Sequence, residues 1–142
     1  MEETAFHHGY LVRVDDINYG GHMGNERALV VFQDARIAFL ASMGCEERRI
    51  AEDTGIIIAE AAIRYKKQVF MGDALDTAVR ASVAGHSALD LLFTVTRPSD
   101  GAEVFSGSTR ILPFSYSAQK VRKIPAEFLE KIRPYLVDER PS

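Results

Sequence analysis

From Asn25 to Met43 the chain carries a helix-period segment with almost no polar face, and that feature narrows the folds open to it. Leu29, Phe32, Ala35, Phe39, Leu40 and Met43 recur at three- and four-residue steps. Val30, Val31, Ile37 and Ala38 fill much of the other side. A helix apolar nearly all round must be enclosed by other elements. Gly44 stands where a left-handed C-cap belongs.

The remaining chain offers strands to enclose it. "HGYLVRV" (His8 to Val14) reads as a short strand before the helix, and "CEERRIAEDT" as a short helical connector after it, stopped by Gly55. "GIIIAEAAIRYKKQVF" opens on β-branched residues, and "ALDTAVRASVAG" and "SALDLLFTVTRP" alternate apolar with polar. "AEVFSGSTRILPF" follows the turn "PSDG". Consecutive strands on short turns predict an antiparallel meander. "IPAEFLEKIRPYL" predicts a short C-terminal helix at about 125–136 between Pro125 and Pro134. The expectation is an α+β domain over 1–142, core about 8–128, with a sheet wrapped around one long helix. Its exposed edges are a problem commonly solved by pairing sheets across a dimer.

With 142 residues and a net charge of −3, nucleic acid is not the expected partner. The N-terminus is acidic and polar, unlike a signal peptide, and no apolar run approaches the roughly 20 residues of a membrane span. One cysteine, Cys45, excludes an internal disulfide. A cytoplasmic setting, with no membrane association, is expected. Cys45 reads as a small buried side chain rather than a nucleophile, which would need a nearby base. Four scattered histidines and one cysteine show no metal-ligand spacing.

Just ahead of the helix, "DDINYGGHMGN" crowds two acids, two Asn, a Tyr, a His and three Gly. Gly20, Gly21 and Gly24 either make a tight turn capped by Asn25, or let a ligand approach the unpaired N–H groups of the helix start. There, N–H groups and the helix dipole stabilise a developing oxyanion. His22 either donates a hydrogen bond to such a ligand or simply bonds to backbone.

Taken in order, "VRVDDINYGGHMGN", "FQDARIAFLASMG", "IRYKKQVFMGDAL" and "GSTRILPF" with "KIPAEF" resemble the hotdog-fold acyl-CoA thioesterases of the 4-hydroxybenzoyl-CoA thioesterase-like group, over roughly Tyr10 to Phe128. The resemblance implies an acyl-CoA or other acyl thioester as substrate. It also implies a homodimer or dimer of dimers with sites at the subunit interface, and no separate cofactor or metal. The thioester carbonyl would sit near the start of the central helix, where a carboxylate attacks or activates water.

In one respect the sequence departs from that pattern: Asn18 falls where the family carries its carboxylate, and an amide is no base at neutral pH. The search for a base therefore moves outward. Glu60 interrupts the apolar strand "IIIAEAAI", where a charge is costly unless used or paired; otherwise it faces solvent or pairs with Arg64. Asp16, on the same side as Asn18, is the second choice, and Asp34 reads as an ion-pair partner. For the CoA phosphates, Arg64, Lys66 and Lys67 form the best basic cluster, with "QKVRK", Arg80 and Arg110 as lesser ones. Tyr19 would cover the acyl or pantetheine part. The sequence thus points to thioester hydrolysis by Glu60 or Asp16. In that reading Gly24 and Asn25 hold the carbonyl, helped by His22 and Asn18. The rival is a non-catalytic acyl-CoA-binding hotdog domain. A hydratase is weaker, for want of an Asp/His dyad.

Overall fold

The computed structural model describes residues 4–137, so the first three residues of the acidic N-terminus lie outside it. The chain runs β1 (Phe6–Leu11), a 3-10 turn (Val14–Asp16), α1 (Arg27–Ser42), β2 (Gly55–Tyr65), β3 (Ala74–Gly85), β4 (Ala88–Arg97) and β5 (Ala102–Ser115). A two-residue β6 (Lys120–Val121), α2 (Ala126–Ile132) and a closing 3-10 turn (Arg133–Tyr135) follow. The sheet order is β1-β3-β4-β5-β2, with antiparallel pairing throughout and β6 added to the end of β5. α1 lies against one face of this sheet, which is the hotdog arrangement.

Alternation sets which face is which. Leu89, Leu91, Phe93 and Val95 of β4 are fully buried and face α1, while Leu92, Thr94 and Thr96 between them face outward. Phe32 of α1 stacks on Phe93 with ring centroids 4.5 Å apart and leans on Phe105 at 5.8 Å. Phe39 packs on Phe6 at 5.5 Å and edge-on to Tyr135 at 5.0 Å. Burying each such ring stabilises the fold by roughly 2 kcal/mol. Gly107 is required by space: a Cβ there would come 2.1 Å from the Ala62 carbonyl oxygen and 2.9 Å from the Phe32 ring.

Several local expectations differ from the structure. The strands do not form one meander. Only β3, β4 and β5 do, and β2 pairs with β5 on the far edge. Segment 66–73 therefore crosses the end of the sheet, tied by Met23 N–H to the Val69 carbonyl at 2.7 Å and by Gly72 N–H to Val12 at 2.9 Å. The connector after α1 is not helical but makes two tight turns, bridged at Glu46–Arg49 and Ala51–Thr54. There Asp53 holds a positive φ of 47° and accepts from the Ser115 and Ser117 hydroxyls. An ion pair from Arg36 to Glu47, at 2.8 Å, holds this segment against α1. β6 is too short to have shown in the sequence. Gly44 does take the left-handed conformation, at φ 74°. Enclosure of α1 is incomplete: Leu29 and Ile37, the latter 50% exposed, form an open flank.

Candidate active site at the start of the central helix

The opening loop is built on Asp16. Its side chain is fully buried, and it accepts from the Tyr10 hydroxyl at 2.8 Å, the Arg13 N–H at 2.9 Å and Arg27 Nε at 2.9 Å. Burial by itself would raise the Asp16 pKa, but the Arg13 N–H, the Tyr10 hydroxyl and the Arg27 guanidinium outweigh it and hold the carboxyl below its usual range. The Asp16 carbonyl also accepts from Gly24 N–H at 3.0 Å. Asp16 thus ties β1, the loop and the first turn of α1 together, and its oxygens are committed.

Asn18 makes the turn inside this frame. Its Oδ1 accepts from Gly20 N–H at 2.9 Å, its N–H donates to His22 O at 2.9 Å, and its carbonyl accepts from Gly21 N–H at 3.1 Å. Gly21 completes the turn with φ 85°. Tyr19, at the tip, is fully exposed and covers nothing in this chain. His22 Nδ1 lies 3.2 Å from the Met23 carbonyl. A carbonyl only accepts, so Nδ1 carries the proton in this hydrogen bond.

Between this loop, the end of β2 and the 66–73 crossover lies a cleft of about 210 Å³. His22, Gly24 and Asn25 form one wall, and Tyr65, Lys67 and Phe105 stand on others. The Tyr65 hydroxyl donates to the Asn25 carbonyl at 2.6 Å, strapping β2 to the helix start. Burial first, and then the charge of Glu26, raise the Tyr65 pKa and keep it a donor.

Asn25 is not the helix cap. Glu26 precedes the helix with helical angles and no side-chain cap bond, and the first turn closes through Arg27 N–H to Gly24 O and Ala28 N–H to Asn25 O. Because Gly24 N–H is already taken by Asp16, the N–H groups left without an acceptor among the described residues are those of Asn25 and Glu26. The free N–H groups thus fall one residue along from the expected Gly24 and Asn25.

Glu60 is on the other side of the sheet. It pairs with Arg110 across β2 and β5, its side chain is 69% exposed, and Arg110 Nη1 reaches it at 3.4 Å. Arg110 also makes two bonds to the buried Asp90 of β4, at 2.9 and 3.1 Å. A bulge between Ile58 and Glu60 sets this register, so Ala61, Ile63 and Tyr65 face the helix side while Glu60 and Arg64 face outward. Glu60 thus pairs with Arg110, and neither Glu60 nor Asp16 lines the cleft of this chain.

The expected basic cluster divides. Lys67 lines the cleft, Arg64 lines a separate depression of about 760 Å³ on the outer sheet face, and Lys66 borders both while paired to Glu103. Cys45 is buried, and burial pushes its thiol pKa up, with Lys131 pulling the other way. Asp34 pairs with His8 of β1 at 2.9 Å. Among the described residues no group of His, Cys, Asp or Glu could hold a metal ion, and no helix is long and apolar enough to cross a membrane.

Sequence reasoning missed Tyr65, Arg27 and Glu26. The available signal was a carboxylate placed directly before an apolar helix.

Comparison with known proteins fits this geometry. The sequence profile of the thioesterase-like superfamily matches residues 12–132. A 1,4-dihydroxy-2-naphthoyl-CoA thioesterase from Synechocystis superposes with a TM-score of 0.83 at 15% identity, covering 92% of this chain and 96% of that one. A Staphylococcus aureus protein solved in complex with CoA gives 0.83 at 20% identity, covering 95% and 85%. A probable thioesterase from Escherichia coli gives 0.76 at 18% identity, covering 91% and 97%. No curated protein sequence matches the chain.

Proposed function

The chain belongs to the thioesterase-like superfamily, and on that premise we propose that it hydrolyses an acyl-CoA-type thioester to the free acid and CoA. One observation carries the reading: the N–H groups of Asn25 and Glu26 stand free at the start of a 16-residue helix, beside a cleft lined by His22, Tyr65 and Phe105. A thioester carbonyl docked there meets two donors and the positive end of the helix dipole. That electrostatic stabilisation of the oxyanion is worth about 3–4 kcal/mol per well-placed donor. Met23, Val69 and Phe105 supply apolar walls for the acyl group, and Lys67 at the same cleft offers charge to the carrier. His22 and Asn18 shape the loop that holds these donors in place. CoA as carrier is supported by the CoA complex of the Staphylococcus aureus protein.

The active unit in this reading is a homodimer or dimer of dimers. β2 is an edge strand with Ile58 43% exposed, and α1 has an open flank at Leu29 and Ile37. A second copy adding its β2 to this edge would pair the free backbone groups and cover that flank.

Release of free thiol from short, medium and aromatic acyl-CoAs tests the reaction. The second reading, acyl-CoA binding without turnover, is favoured by Asn18 spending its side chain on the turn at Gly20. It predicts saturable binding of acyl-CoA with no thiol released above the uncatalysed rate.

A further inference from the structure

We propose that Glu26 is the general base of this site, an assignment that rests on the thioesterase reading above. With Asn18 an amide, Asp16 locked in a buried ion pair and Glu60 on the outer face, the cleft needs its carboxylate from elsewhere. Glu26 supplies one. Its side chain folds back over Gly24, so that a Cβ built on Gly24 would stand 2.5 Å from Oε1 and 2.8 Å from Oε2. Gly24 is buried and lines the cleft, and the Glu26 carboxylate stands directly beside it, adjoining the lining residues. Its charge reaches the Tyr65 phenol on the opposite wall. The carboxylate makes no hydrogen bond or ion pair among the described residues, which leaves both oxygens open to a water.

The placement fits the reaction. The two free N–H groups belong to Asn25 and Glu26, so the oxyanion donors and the carboxylate come from adjacent residues of one turn. A water held by Glu26 gives a proton to the carboxylate as its oxygen bonds to the thioester carbon. The carbonyl electrons move onto the oxygen facing the N–H groups. When they return, the C–S bond breaks, the sulfur leaves with the electron pair, and the proton on Glu26 passes to it. One water is consumed, and one acid and one thiol are released. Gly24 belongs to the same device, because a side chain there would occupy the space the carboxylate uses.

A purely structural Glu26 would only favour the helix dipole, without changing turnover. The test is steady-state thiol release by the full chain on the acyl-CoA panel, with wild type, Glu26→Gln, Glu26→Asp and Glu60→Gln compared. Glu26→Gln is expected to lower kcat about 100-fold or more while KM stays close to wild type, with Glu26→Asp between them. With hydroxylamine, a nucleophile that needs no prior deprotonation, Glu26→Gln should regain acyl transfer, read as hydroxamate. Three results overturn the assignment while leaving the thioesterase reading intact. One is Glu26→Gln turning over like wild type. The second is a loss that hydroxylamine does not relieve, and the third is loss in Glu60→Gln alone. A wild-type chain that releases no thiol from any acyl-CoA overturns the reading itself, and the assignment with it.

Discussion

The Tyr65 hydroxyl donates to the Asn25 carbonyl at 2.6 Å, joining the last residue of β2 to the turn that begins the central helix. Tyr65→Phe removes this strap and keeps the ring. A neutral hydrogen bond of this kind stabilises by about 1 kcal/mol, so the melting temperature should move little. The proposed carbonyl donors, the Asn25 and Glu26 N–H groups, lie in the same turn, and a slackened turn misplaces them. A fall of about tenfold in kcat/KM for thiol release is expected. Activity equal to wild type would show that the strap does not position the site.

Gly24→Ala should separate fold from chemistry. The atom that a new methyl would meet is the far end of the flexible Glu26 side chain, and Gly24 does not carry a positive φ. The variant should therefore fold with near-wild-type stability while its carboxylate is displaced. Turnover should fall by roughly the factor that Glu26→Gln loses, on the order of 100-fold. Circular dichroism and thiol release on one preparation decide it.

Asp16 links stability to pH. Its folded pKa lies below the unfolded value of about 3.9, so its contribution is fully present above that value and disappears as pH falls through the folded pKa. Urea unfolding of wild type should therefore weaken as pH is lowered below about 4, and Asp16→Asn should flatten that limb. At neutral pH Asp16→Asn should cost about 2–3 kcal/mol, at the low end for a buried pair because Arg27 is partly exposed to solvent. An unchanged urea midpoint at neutral pH would contradict this.

The open edge predicts assembly. Light scattering of the wild-type chain should report a dimer or larger species, and Ile58→Lys on β2 or Ile37→Glu on α1 should shift it toward monomer. A monomeric wild type at micromolar concentration would sink the shared-interface reading. A dimer indifferent to both substitutions would move the interface elsewhere.

Periodicity alone determined the elements that bury apolar surface. The three- and four-residue spacing from Leu29 to Leu40 specified α1, and the alternation in β3 and β4 specified the face that meets it. Gly44 marked the helix end because few other residues accept its backbone conformation. The loop "DDINYGGHMGN" was legible as a tight turn ahead of a buried helix, since its glycines and short polar side chains favour one.

Strand order was not legible, because local pattern does not say which strand lies beside which, and β2 crosses to β5. Nor was the direction of each acid. Asp16 and Glu60 look equally available along the chain, yet one is sealed under Tyr10 and Arg27 and the other is turned outward by a bulge. A carboxylate's chemistry depends on what surrounds it in three dimensions. Packing therefore decided what sequence spacing could not: which acids are spent on holding the fold, and which, like Glu26, have no hydrogen bond or ion pair among the described residues.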